Sequence, residues 1–297
     1  MCIRILIALA AACLAATAMA QTEKTVTSPD GTLILRPFQN AAYPHKSREN
    51  GYITQGKTYS AAEHYSDSTV GIFIPSGFRP GKSTDFVVHF HGHLNHVEQV
   101  FQQFNLGHEI VKSGVNAILL VPQGPKDVPD SGDGHLELDA GAFEALVREA
   151  AHYLKGAGRI ASETIGHVAI TAHSGGYEVV SAILHHGGLS DNITDVCLLD
   201  ASYGGLESFA DWAKGGHGRR LISIFTEHLA SANVELMALM QERGVRFRVM
   251  LEPTARGAAL KPRGALFVHT LDLAHNDVVA KNDTLADYLA SSSLRKR

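Results

Sequence analysis

Cysteine is nearly absent where it could cross-link anything: of three, Cys2 and Cys13 fall within the first twenty residues and Cys197 stands alone after them. No internal disulfide is open to the rest of the chain, so its fold has to stand on its core. An excess of one charge is also lacking. The 26 basic and 30 acidic residues leave a formal net charge of −4, spread along the chain with no basic stripe, which excludes the electrostatic signature of a nucleic-acid or anionic-membrane binder. Long hydrophobic runs are missing too: residues 5–16 form an apolar stretch shorter than the roughly 20 residues that cross a bilayer, and nothing of that length recurs. No stable membrane insertion is expected. That short run instead reads as a secretory leader, with Arg4 ahead of it and Ala18-Met19-Ala20 as a small-x-small cleavage site. Cleavage is expected after Ala20, and the mature chain is expected in the periplasm or outside the cell. Internal repeats and low-complexity tracts are likewise absent, and the basic end Arg295-Lys296-Arg297 reads as a frayed tail.

What is present is enough apolar material, 45% of residues, for one large α/β domain. Buried strands are expected at residues 69–74, 86–90, 117–121, 167–171, 195–199, 221–225 and 246–251. Amphipathic helices lie between them: Phe143, Leu146, Val147, Ala150 and Leu154 share one face, and Val179, Val180, Ile183 and Leu184 another, stopped by Gly187-Gly188. Strands alternating with such helices predict a mostly parallel central sheet flanked by helices on both faces, with ligands bound at the carboxyl ends of the strands. Residues 21–65 are polar and rich in turn formers. They read as an irregular lead-in, with one strand-like stretch at 32–35 that would enter the sheet antiparallel, and the catalytic domain is expected over 66–297.

The segment from Gly166 to Tyr177 reads as a strand, a sharp turn and a helix, with Ala172-His173-Ser174-Gly175-Gly176 at the turn. It resembles the nucleophile elbow G-x-S-x-G of the α/β-hydrolase superfamily, esterases and lipases included, with Ala172 in place of the first glycine. The position needs a small side chain, and alanine is one. The run 86–90 followed by His91-Gly92 resembles the oxyanion loop of the same enzymes, and His275, after the last strand and ahead of a closing helix, falls where they keep the general base; His269 sits in what looks like a packed segment. The resemblance implies Ser174 as nucleophile, His275 as base, and an oxyanion hole from the N–H of Gly175 with that of His93 or of Leu94. Two residues compete for the acid. Asp200 closes the run 195–199, as in the lipase branch whose acid sits one strand earlier than usual, and Glu227 follows the next strand but lacks the usual turn glycine. His91, Gln123, His173 and Tyr203 are expected to line the substrate site. The implied activity is hydrolysis of small or polymeric carboxylic esters through an acyl-enzyme, with no cofactor. An amidase or peptidase would use the same groups.

Seventeen histidines raise a rival. His91-Gly92-His93-Leu94-Asn95-His96 also resembles the H-x-H-x-D-H motif of metallo-β-lactamase-fold hydrolases, in which His91, His93 and His96 would hold zinc, with Asn95 where that motif has its aspartate. In a third reading the chain is a hydrolase-fold binding protein without catalysis.

Overall fold

A strand covered on both faces needs apolar residues at every position, not every second one. In the computed structural model, which describes residues 22–216, 218–261 and 263–297, this is true of β5 (Ala117–Pro122), and β4 (Thr84–Phe90) is buried at every position too, its polar Thr84, Asp85 and His89 included. The leader and its cleavage site lie outside the described residues. The other strands of the main sheet are β1 (Lys24–Ser28), β2 (Gly31–Pro37), β3 (Thr69–Pro75), β6 (Ile165–His173), β7 (Ile193–Leu199), β8 (Arg220–Phe225), β9 (Phe247–Leu251) and β10 (Gly264–His269). Their order across the sheet is β1-β2-β3-β5-β4-β6-β7-β8-β10-β9. From β5 to β9 all neighbours are parallel; β3 is antiparallel to both β2 and β5, and β1 is antiparallel to β2.

Side chains alternate between two cores. Phe86, Val88, Phe90, Ile170 and Leu198 point to one, which is closed by α3 (Ala142–Gly156), α4 (Tyr177–His186), α5 (Leu206–Lys214) and α6 (Ala230–Glu242). Val87, Leu119, Ala169, Cys197 and Ile224 point to the other, which is closed by α1 (Val97–Gln103), α2 (Leu106–Ser113) and α7 (Thr284–Ala290). The stripes expected on α3 and α4 are the faces they bury: Phe143, Leu146, Val147, Ala150 and Leu154 on α3, and Val179, Val180 and Ile183 on α4. Among the described residues no helix is long and apolar enough to cross a membrane.

Three stretches differ from the expectation. The lead-in is not wholly irregular: it supplies β1 and β2 and a small hairpin, Tyr52–Thr54 with Lys57–Tyr59, because Ile34 and Leu35 bury on opposite faces of the sheet. The stretch around Phe267 is strand β10, inserted between β8 and β9. This leaves β9 at the edge with Arg248, Val249 and Leu251 exposed, so the run that looked like an interior strand is a border. The basic tail is not frayed. Arg295 donates from its N–H and its Nε to Asp85 Oδ2, at 2.9 and 3.1 Å, and the Arg297 N–H donates to Gly114 O at 2.9 Å. The charged contacts of Arg295 with Asp85, and of Arg220 Nε with Asp195 Oδ1 at 2.7 Å, fasten the amino edge of the parallel strands. The carboxyl edge carries different chemistry.

Candidate active site

β6 runs buried to His173, and the next residue, Ser174, takes φ +53°, a left-handed conformation that a non-glycine side chain adopts only when its surroundings enforce it. The chain then enters α4 through a tight turn over Ser174–Gly176. Two close approaches enforce the geometry. A Cβ on Gly176 would lie 2.5 Å from the backbone oxygen of Phe90, at the end of β4, and a Cβ on Gly92 would lie 2.5 Å from Ser174 Cβ and 3.1 Å from His173 O. The turns after β4 and β6 are thus pressed together, the closeness that the small residues of both motifs anticipated. Gly92→Ala is expected to push the serine off its turn: the variant should melt several degrees lower than wild type and lose most of any Ser174-dependent activity, as thermal unfolding alongside kinetics would show.

Asp200 follows β7, also at φ +49°, and is fully buried. Its carboxylate accepts from the Thr226 N–H (2.8 Å to Oδ1), from Thr226 Oγ1 (3.0 Å to Oδ2) and from His275 Nδ1 (2.7 Å to Oδ2). Burial alone raises a carboxyl pKa, but the donors from His275 and Thr226 outweigh it and hold Asp200 below its ordinary value. With Nδ1 donating, neutral His275 keeps its lone pair on Nε2. The turn carrying His275 is fixed by Leu273 N–H to Thr270 Oγ1 (3.1 Å) and Ala274 N–H to Asp277 Oδ2 (3.2 Å). From below, His173 stacks at 4.8 Å between ring centres and donates from Nε2 to the backbone oxygen of His275 at 3.2 Å. Burial, reinforced by His275, pushes His173 down to about 4, so it stays neutral and serves as floor. Tyr203, half-exposed, has its ring 6.3 Å from that of His275.

The structure therefore brings Asp200, His275 and Tyr203 together, and Ser174 follows directly after His173, whose ring stacks on that of His275. It does not bring Glu227, which is exposed and lies 3.1 Å from His269 Nε2. It adds His228, which the sequence reading missed: Nδ1 is 2.6 Å from Thr226 Oγ1 and Nε2 2.8 Å from Tyr203 Oη. Thr226 gives its hydroxyl hydrogen to Asp200, so His228 Nδ1–H donates to Thr226, and Tyr203 donates to His228 Nε2. The available signal was its position, just beyond the carboxyl end of β8.

Three expected substrate contacts prove to be supports. His91, Gln123 and His173 are 7%, 1% and 1% exposed and offer a substrate almost no surface. His91 donates from Nδ1 to Gly92 O (2.9 Å) and accepts the Gly124 N–H at Nε2 (3.1 Å), and Gln123 Oε1 takes the Val97 N–H (3.0 Å). Both hold the oxyanion-like loop in shape, and burial keeps the His91 pKa low. The Leu94 N–H is spent on Val128 O at 3.0 Å, which leaves the His93 N–H as partner for that of Gly175. The His93 side chain is braced by Ser131 (Nε2 to Oγ 2.6 Å). Ser131 stands next to Asp130, which takes Arg48 in a fork at 2.9 and 3.1 Å and the Tyr65 hydroxyl at 2.8 Å. His96 Nδ1 faces Asp127 Oδ1 at 2.8 Å. The imidazoles of His91, His93 and His96 thus turn to three different partners and do not converge on one ion, which corrects the zinc reading of that cluster. Among the described residues two other trios have ligand atoms within 4.8 Å of one another, Asp200/His228/His275 and His45/His135/Asp139.

No protein-family model and no curated protein matches this sequence. Solved structures do match. The feruloyl esterase module of Clostridium thermocellum, in a complex with sinapinate, superposes over 86% of this chain and 90% of its own at TM-score 0.51 and 13% identity. An S-formylglutathione hydrolase from Agrobacterium tumefaciens does so over 90% and 98% at TM-score 0.50 and 11% identity. At such identity the likeness is one of fold, and that fold is the α/β-hydrolase fold.

Proposed function

We propose, from the premise that this chain has the α/β-hydrolase fold, that it is an exported serine hydrolase of carboxylic esters. Ser174 Oγ attacks the acyl carbonyl while His275 Nε2 takes its proton, and Asp200 holds the resulting imidazolium. The N–H groups of Gly175 and His93 receive the developing oxyanion. Collapse expels the alcohol, which takes the proton from His275, and water activated by the same imidazole releases the acid. No cofactor enters these steps. The observation that carries the reading is the 2.7 Å bond from His275 Nδ1 to a buried Asp200, beside a serine at φ +53°.

Leu94 and Tyr203, 58% and 45% exposed, flank this spot and favour a bulky, partly apolar ester, of small-molecule or polymeric origin. Export rests on the leader, and the N-terminus of the protein recovered outside the cytoplasm should begin at Gln21. The test of the chemistry is labelling with a fluorophosphonate. One equivalent of adduct that forms equally well after treatment with a chelator supports the serine mechanism. No adduct, together with ester cleavage that disappears on chelation, sinks it.

A further inference from the structure

On the far side of the loop that supports His93, the lead-in folds against the turn before α3 and lines an open cleft of about 630 Å³. Three potential metal ligands meet in its wall: His45 from the lead-in, and His135 and Asp139 from the turn, with ligand atoms within 4.8 Å of one another. None of them belongs to the proposed catalytic machinery. His45 Nε2 is 3.9 Å from Asp139 Oδ1 and its side chain is 4% exposed. His135 Nδ1 is 2.5 Å from Asp139 Oδ2, while its Nε2 faces Pro44 O at 2.9 Å.

Pro44 O can only accept, so His135 Nε2 carries a hydrogen and, in the neutral ring, Nδ1 presents a lone pair to a carboxylate oxygen. In the protonated ring a proton bridges that 2.5 Å contact, and its place, between a ring nitrogen and a carboxylate oxygen, is one a divalent ion can take when the proton leaves. A second imidazole nitrogen tied to a backbone carbonyl is also the arrangement that orients metal-binding histidines. His45 Nδ1 accepts the Ser47 N–H at 3.2 Å and lies 2.8 Å from the Ser47 hydroxyl; in the tautomer whose Nδ1 donates to that hydroxyl, Nε2 is bare toward Asp139. Two neutral imidazoles and one carboxylate suit a borderline divalent ion, and the cleft leaves room for water as a fourth ligand.

We propose that His45 Nε2, His135 Nδ1 and the Asp139 carboxylate form a binding site for a zinc-class divalent cation, which clasps the lead-in to the turn before α3. The ion would join two segments about ninety residues apart and steady the short helix Lys46–Arg48, whose Arg48 fastens Asp130. The test is a calorimetric zinc titration of the folded protein, repeated on His135→Gln, Asp139→Asn and His228→Gln, with circular dichroism to establish that each is folded. The proposal expects one equivalent bound by wild type and by His228→Gln, affinity weakened about 100-fold or more in the other two, and a zinc-dependent rise in melting temperature that His135→Gln and Asp139→Asn lack. It is overturned if wild type takes up no stoichiometric zinc, if all variants bind it equally through scattered histidines, or if His228→Gln alone abolishes uptake, which would move the ion to Asp200/His228/His275.

Discussion

Ser174→Ala should lose all fluorophosphonate adduct and lower kcat on an activated aryl ester by about five to six orders of magnitude, with little change in KM. The size of the effect follows from what the substitution spares. Alanine removes Oγ and leaves the turn at φ +53°, the pressed contact with Gly92 and the N–H groups of Gly175 and His93. Whatever turnover remains then measures binding and the oxyanion donors alone. Stability should barely move, because the strain resides in the backbone and alanine bears it as serine does. Steady-state kinetics with a melting curve test both halves. A catalytically silent binding protein would show equal, negligible turnover before and after the substitution, and a fall in activity that tracked a fall in melting temperature would assign Ser174 to the scaffold.

Asp200→Asn should cost about 10⁴ in kcat, with near-normal folding. The Thr226 N–H donates to one carboxylate oxygen and His275 Nδ1 to the other. In the variant the amide oxygen satisfies Thr226, and the NH₂ group is left facing His275. That ring can meet it only by giving up the hydrogen on Nδ1, which puts a hydrogen on Nε2, where the base needs a lone pair. Glu227→Gln, by contrast, should change kcat less than about twofold, because Glu227 pairs at the surface with His269. The same carboxylate links stability to pH. Its folded pKa lies below the ordinary value, so its contribution is present above about pH 4 and is lost as the pH falls through the depressed value. An acid titration of the melting temperature should therefore be shallower for Asp200→Asn than for wild type.

These residues differ in how far the sequence exposes them. Ser174 and Gly92 are legible because close backbone approach restricts residue type, and Asp200 because a carboxylate directly after a buried run is conspicuous. Which acid serves His275 is not written locally: Asp200 and Glu227 both follow strands, and the choice depends on a contact spanning 75 residues. The supporting roles of His91 and Gln123 were hidden for a related reason. Polar residues at the carboxyl edge of a sheet read alike whether they face solvent or turn inward to a backbone N–H, and only tertiary pairing separates the two. His228 was overlooked because its partners, Thr226 and Tyr203, gain meaning only once β7 and β8 lie side by side. In the fold, β10 was missed because periodicity reveals that a short segment is buried but not that it is inserted between two earlier strands.

The anchoring of the C-terminal tail bears on how fast this molecule can fold. Asp85 sits at the amino end of the central strand β4, 1% exposed, and its cationic partner Arg295 lies 210 residues further along the chain. That pairing is among the contacts of long sequence separation, the kind whose loop-closure entropy slows folding.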